Sequence, residues 1–302
     1  MEQTMMSANV LVPLDGSLLA EQALPVAVSL VKQRHGRLEL AFVHEPIAFD
    51  GFVDTPWNAM SQSMQDSYVA DKAAQLTVEC ESQVGHALLR GNIVEEICNR
   101  AREVNADMIV MSTHGRTGIA RAFGGSVADA VIRASSVPVL LLRQPAAILP
   151  REFTRIVVPV DDSTASHEIF AAVARLVAPG SAKLSLLHVV SPLRFVLDGS
   201  IPYGYMNGPI DDVSTTSLVA DAEAALTGPA AALGLETKCD VEPRVITSDT
   251  IGESIVDFAR AFGADLIAMT TRGRGASRFL LGSVTEAVIR HADVPILVLR
   301  PS

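Results

Sequence analysis

The chain writes its plan twice. NVLVPLDGS, from Asn9 to Ser17, returns as RIVVPVDDS, from Arg155 to Ser163, with Asp15 and Asp161 standing 146 positions apart. The apolar runs that follow, LELAFVHEP and LSLLHVVSP, keep that offset from Pro46 to Pro192. Further on, ADMIVMSTHG matches ADLIAMTTRG at an offset of 158, and GSVADAVIRASSVPVLLLR matches GSVTEAVIRHADVPILVLR at 157. Solenoid repeats have periods of roughly 20–50 residues, so a period three times longer marks two copies of a whole domain. We read the copies as residues 1–147 and 148–302.

The offsets also locate the differences. The second copy gains 12 residues between its second strand and Asp265, and the stretch from Leu193 to Asp212, LRFVLDGSIPYGYMNGPIDD, is the expected place. The offset then falls from 158 to 157 inside a glycine-bearing loop, which is one residue shorter in the second copy.

Within each copy, short apolar runs alternate with segments of helical period. In the first, strands are expected at Val10–Leu14, Leu38–Val43, Ala87–Leu89, Met108–Met111 and Val137–Leu142. Helices are expected over 17–31, 66–84, 92–104 and 127–134, where apolar residues such as Leu24, Ala27, Val28 and Val31 recur at three- and four-residue spacing. The second copy repeats the series. Strands alternating with helices imply βαβ crossovers and a parallel sheet covered by helices. An aliphatic composition, 49% hydrophobic but only 5% aromatic, suits strands buried on both sides. The connection between copies, Gln144 to Pro150, is short, so the two domains are expected to pack together. Their last strands, VPVLLLR and VPILVLR, are apolar enough to meet.

Charge and cysteine content narrow the function classes. With 24 basic and 34 acidic residues the net charge is −10, and there is no basic run. Nucleic acid and anionic membrane are therefore not expected as partners. Three scattered cysteines, Cys80, Cys98 and Cys239, have no metal-ligand spacing and fit free thiols in a reducing compartment. The N-terminus lacks a basic segment followed by an apolar core. No apolar run is seen to approach the roughly 18 residues of a membrane span. The cytoplasm is the expected location.

The stretch from Met111 to Arg143 carries the chemistry. An apolar strand ends in Ser112-Thr113-His114-Gly115; ten positions on come Gly125 and Ser126, then a helix, then VPVLLLR. The first amides of a helix lack intrahelical acceptors, and the helix dipole favours an anion there. Glycine removes the Cβ that would hold a phosphate away. The same residues also make an ordinary strand-to-helix loop with Ser126 as N-cap. Asp15, at the end of the first strand, reads equally as a ribose or adenine contact and as an Asx turn capping the first helix. If the first and fourth strands are neighbours, their loops wall one crevice at the carboxyl edge of the sheet.

Other chemistries find no support in the pattern. There is no GxxxxGK[ST] phosphate loop and no GxSxG elbow. The seven histidines do not pair at helical spacing, so no metal site is expected. No nucleophile stands beside an obvious base, so any hydrolysis of a bound ligand is expected to be slow or to depend on a partner.

Both copies resemble universal stress protein domains, and the resemblance covers nearly the whole chain. Nucleotide-binding members of that family share Gly-x2-Gly-x9-Gly-[Ser/Thr] after the fourth strand and an aspartate after the first. In the first copy the pattern falls on Ser112, Gly115, Gly125 and Ser126, with the nine-residue spacing intact and serine in place of the first glycine. Pro13, Asp15, Val43, His114 and Val127 match further family positions. In the second copy it falls on Thr270, Gly273, Gly282, Ser283 and Val284, with Asp161 and Val189; there a β-branched residue replaces the first glycine and the spacing is eight. One residue of chain spans about 3.3–3.6 Å, enough to misplace an amide by a hydrogen-bond length. The better site is therefore expected in the first copy.

The resemblance implies an α/β fold: two doubly wound, five-stranded, parallel-sheet domains of the adenine nucleotide alpha-hydrolase-like, Rossmann-like kind, packed as a pseudo-twofold pair. It implies ATP, with Mg²⁺, as ligand. It also implies a stress-response regulator that meets an unidentified protein partner or a second copy of itself as a homodimer. A nucleotide-free interaction scaffold of the same fold is the alternative.

Overall fold

The computed structural model describes residues 8–45, 56–113, 126–143, 152–191, 212–271 and 281–301; for 56–60, 126 and 212–215 it describes the backbone only. The fold is α/β with mostly parallel strands. It divides into two compact units, one of residues 1–152 with 293–300, the other essentially of residues 153–292.

In the first unit, β1 (Val10–Leu14), β2 (Leu38–His44), β3 (Gly85–Arg90), β4 (Met108–Ser112) and β5 (Val139–Leu142) run parallel in the order β3-β2-β1-β4-β5. Helices α1 (Leu18–Glu21), α2 (Leu24–Arg34), α3 (Pro56–Cys80), α4 (Ile93–Glu103) and α5 (Ser126–Ala134) connect them. β1 is apolar along its length because both of its faces are covered: Val10, Leu11 and Val12 are fully buried. The last strand of the chain, β10 (Ile296–Leu299), pairs antiparallel with β5, Leu297 opposite Leu140. The two apolar terminal strands thus meet edge to edge through backbone hydrogen bonds.

The second unit repeats the plan with β6 (Arg155–Val160), β7 (Lys183–Val190), β8 (Asp240–Thr247) and β9 (Leu266–Thr270) in the order β9-β6-β7-β8. Its helices are α6 (Ile169–Leu176), α7 (Asp212–Thr237), α8 (Ile251–Phe262) and α9 (Ser283–His291). Pro243 in β8 fits a strand at the end of the order, where a missing N–H costs no ladder bond.

The register refines the repeat. Val43 pairs with Leu89 and Val189 with Ile246, so the third strands lie 157 apart. Eleven of the twelve extra residues therefore precede β8. The buried residues of α3 and α7 agree at the same offset: Val69 and Ala73 match Leu226 and Ala230.

Some expected elements differ. The helix expected over 17–31 is two helices, because Pro25 opens α2 and cannot donate back into the preceding turn. Its counterpart is a 3-10 turn, Thr164–Glu168, followed by α6. α3 begins ten residues earlier than expected. Over Thr216–Thr237, α7 is long and apolar enough by composition to cross a membrane, contrary to the expectation that no stretch qualifies. That expectation concerns unbroken apolar runs, whereas α7 reaches the composition through alanines spread between Asp221, Glu223 and Pro229. It buries Leu226, Ala230 and Leu233.

Candidate functional site

β1 lies between β2 and β4, so the direction of strand progression reverses at β1. Val10 pairs with Met108 and Leu11 with Ile109 on one side; Leu14 pairs with Phe42 on the other. Carrying the β1–β2 register one step past Leu14 puts Asp15 level with Val43; on the other side of β1, β4 ends at Ser112 and Thr113 opens its loop. The loops after three strands therefore open at one point of the carboxyl edge, the place where open α/β sheets hold ligands.

Side chains in register share a sheet face and alternate along each strand. Pro13, Asp15, Val43 and Thr113 fall on one face. That face carries α4, since Glu39, two pairs further down β2, binds Arg100 of α4. Leu14, Phe42 and Ser112 fall on the other, where Tyr68 of α3 meets Phe42 edge-on at 6.0 Å. Asp15 is exposed, Pro13 and Val43 are half-buried. Val43 is thus more open than a core valine in the middle of a strand. The Ser112 hydroxyl is buried and has no hydrogen-bond partner among the described residues. Thr113 is buried, and its amide closes onto the Leu142 carbonyl at 2.8 Å.

Asp15 does form an Asx turn: its Oδ1 accepts the Ser17 amide at 2.9 Å. Ser17 in turn N-caps α1, its hydroxyl accepting the Ala20 amide at 3.1 Å. A carboxylate has about four lone-pair positions, so one such bond leaves room for a ligand's hydroxyl or amine. Gly16 makes the turn with φ +83°, a left-handed conformation that costs glycine nothing.

α5 starts at Ser126, so Ser126 and Val127 contribute first-turn amides. His114, Gly115 and Gly125 lie outside the described residues.

The second unit has the same frame with tighter local bonding. β6 lies between β7 and β9, which brings Asp161 level with the half-buried Val189. Asp161 Oδ1 accepts both the amide and the hydroxyl of Ser163. Ser166, buried, donates its hydroxyl to the Asp161 and Ser163 carbonyls. The short glycine loop is closed at its base. Gly282 donates its amide to the Thr271 carbonyl at 3.0 Å, and Thr285 donates its hydroxyl to the Thr270 carbonyl at 3.2 Å. A Cβ on Gly282 would meet the Thr271 oxygen at 2.9 Å, so glycine is needed for this approach. Ser283 and Val284 open α9, with Gly282 and not Ser283 as N-cap. Gly273 lies outside the described residues. At the offset of 157, Thr285 matches Ala128, which has no hydroxyl to make the equivalent closure.

One group near Asp15 has no signal in the sequence. Glu21, at the end of α1, accepts from Tyr68 Oη at 2.8 Å and from Lys72 Nζ at 2.7 Å, both on α3. Burial acts to raise the Glu21 pKa, but the bonds from Lys72 and Tyr68 and the Lys72 charge outweigh it and hold the carboxyl below its ordinary value. Burial first, then the Glu21 bond and the charges of Glu21 and Asp15, push the Tyr68 phenol up. The partners lie 47 and 51 residues apart, a separation that no local pattern reports. Among the described residues no three His, Cys, Asp or Glu side chains cluster to hold a metal.

Comparison with known proteins agrees with this frame. The model of the universal stress protein family matches residues 6–143 and again 152–300. Universal stress protein MJ0531 of Methanocaldococcus jannaschii is 28% identical over 140 residues, 45% of this chain and 82% of that protein. Universal stress protein Rv2005c of Mycobacterium tuberculosis is 26% identical over 201 residues, 65% of this chain and 63% of the relative, so the match leaves more than a third of that protein uncovered. Among solved structures, a universal stress protein from Archaeoglobus fulgidus superposes with a TM-score of 0.68 over 99% of this chain and 98% of that one, at 20% identity. The functionally unknown protein PA1789 from Pseudomonas aeruginosa gives 0.63 over 99% and 94%, at 14% identity. Those two identities speak for the fold alone. The family model accounts for most of the chain in two separate stretches, and the chain belongs to the universal stress protein family, with two domains of it in tandem.

Proposed function

We propose that the first unit binds ATP, with Mg²⁺, at the carboxyl edge of its sheet, and that the loaded state alters the surface offered to a protein partner. In this reading Asp15 takes a ribose hydroxyl or the adenine amine. Val43 and Pro13 pack against the base, and the amides at the start of α5 hold phosphate. The observation that carries it is the position of β1 between β2 and β4, with Asp15 one step past the Leu14–Phe42 pair and so beside Val43 at the carboxyl edge. The residues fit the ligand: a carboxylate with spare acceptor positions, a half-open aliphatic surface beside it, and helix-start amides suited to an anion. Mg²⁺ would supply charge neutralisation at the phosphates. The chain's own residues bind and orient, and no residue pair is assigned to hydrolysis. We place the protein in the reducing cytoplasm, consistent with Cys80, Cys98 and Cys239 being free and buried.

Calorimetric titration of the full chain with MgATP tests the reading. Binding is expected, weakened about tenfold or more in Asp15→Asn, where a charge-assisted hydrogen bond becomes a neutral one. Equal heats for wild type and Asp15→Asn would overturn the assignment of Asp15, and no heat at all would overturn ATP binding. The second unit supports a different role. With the Gly282 amide engaged and its loop base closed by Thr285, it suits a nucleotide-free scaffold better than a phosphate site.

A further inference from the structure

We infer that Tyr68, Lys72 and Glu21 form a latch that positions the Asp15 loop for ligand in the first unit alone, the second unit lacking all three residues. The inference rests on the ATP-binding reading and names what holds that site in its binding form.

The chain of contacts is continuous. Tyr68 and Lys72, one helical turn apart on α3, both bind the Glu21 carboxylate, at 2.8 and 2.7 Å. Glu21 is the last residue of α1, and its amide donates to the Ser17 carbonyl at 3.2 Å. Ser17 caps the same short helix through its hydroxyl and gives its own amide to Asp15. A fixed carboxylate at residue 21 therefore fixes the turn that aims the carboxylate at residue 15. A four-residue helix has too few internal bonds to hold itself, so its order must come from outside. The latch is built to supply that order. The Glu21 and Lys72 side chains are 20% and 26% exposed, dry enough for the pair to outlast a surface ion pair. Tyr68 is held from its other side by Phe42, whose ring also comes within 3.9 Å of where a Cβ of Gly16 would stand. One aromatic pair thus backs both the latch and the turn.

The second unit shows the contrast. At the matching offsets Glu21 becomes His167, Phe42 becomes His188, Tyr68 becomes Ala225 and Lys72 becomes Pro229. His167 stacks on Phe170, three residues on, at 5.1 Å. Order there comes from Ser163 and Ser166, whose bonds draw on the aspartate itself and on its carbonyl. The first unit holds its loop from α3 and leaves the Asp15 carboxylate with spare capacity. The second adds the Ser163 hydroxyl to the carboxylate oxygen that the amide already uses, which leaves one acceptor position fewer for a ligand. Tyr68 and Lys72 are positioning residues in this scheme, acting through Asp15.

The test is a set of MgATP titrations on the full-length chain with Tyr68→Phe, Lys72→Met, Lys72→Arg, Asp15→Asn and the double variant Asp15→Asn with Lys72→Met. Tyr68→Phe and Lys72→Met are expected to weaken binding about three- to tenfold, the range of long-range coupling through packed networks. Lys72→Arg, which keeps the cation, should restore most of the loss. The double variant should bind no more weakly than Asp15→Asn alone, because the latch works through that carboxylate. Additive losses in the double variant would overturn the inference. So would wild-type affinity in Tyr68→Phe and Lys72→Met while Asp15→Asn is impaired, and that outcome would leave the ATP reading standing. Hydrogen exchange without nucleotide reads the latch directly. Exchange at the Ser17, Ala20 and Glu21 amides should quicken in Lys72→Met, with the Ser163 and Ser166 amides unchanged. Unchanged exchange at all of them would also overturn the latch, whatever ATP does.

Discussion

Asp15 and Asp161 occupy the same place in two copies of one fold and are held differently, so the residue scale is where the copies part. At Asp15 the turn depends on Gly16 and its φ of +83°. Gly16→Val should destabilise the chain by about 1–2 kcal/mol, the cost of a left-handed L-residue, read as a lower denaturant midpoint. Beneath the site, Arg100 binds Glu39 from α4, with Nε 3.0 Å from the carboxylate. Arg100→Met strands a carboxylate that is 13% exposed and should cost about 1–3 kcal/mol. The latch carries a pH signature. Because the Glu21 pKa is lowered on folding, its contribution is present above the unfolded value near 4.5 and fades as pH falls through the folded value. Tyr68, raised on folding, contributes below the unfolded value of 10 and loses that contribution as pH rises beyond it. Glu21→Gln should therefore lower thermal stability at pH 7 and leave it nearly unchanged at pH 3, in melts followed by circular dichroism.

Elements set what those residues can reach. α1 and α2 are separate because of Pro25, and that break leaves Glu21 at a helix end within reach of α3. In the second copy, Thr285 on α9 closes the glycine loop, and the matching position on α5 is Ala128. Thr285→Ala removes one buried hydrogen bond and should cost about 1 kcal/mol by denaturant unfolding, while leaving MgATP binding by the first unit unchanged. The terminal strand β10 covers the edge of β5, and Arg300 donates to the Arg133 carbonyl at the end of α5 at 2.8 Å. A cation there complements the helix dipole. Ending the chain at residue 292 would bare a flat apolar edge, and light scattering should then show self-association that the full chain lacks.

For the whole molecule, duplication supplied two frames and divergence made them unequal. One copy keeps the nine-residue loop spacing, an aspartate held by a single local bond and an external latch. The other has a loop one residue shorter, tied at its base, and an aspartate bonded by both the amide and the hydroxyl of Ser163. The expected outcome is a calorimetric stoichiometry near one MgATP per chain, unaffected by Asp161→Asn. A stoichiometry of two would show that the second unit takes ligand as well.

The repeat, the fold class and the family were legible in the residues alone, because strand and helix periods and glycine spacing are local properties that survive in linear order. Pro13, Asp15 and Val43 were legible only as residues near the ends of apolar runs, where a parallel sheet must end. The sequence could not decide between an Asx turn and a ligand contact at Asp15; the turn is formed, and acceptor capacity remains. Nor could it show that Glu21, Tyr68 and Lys72 meet, that Gly282 spends its amide on Thr271, or that β10 joins the first unit. Those are contacts between residues distant in the chain. Only the packing of helix on sheet and the pairing of strands bring them within hydrogen-bond range, and that range is what separates one copy's chemistry from the other's.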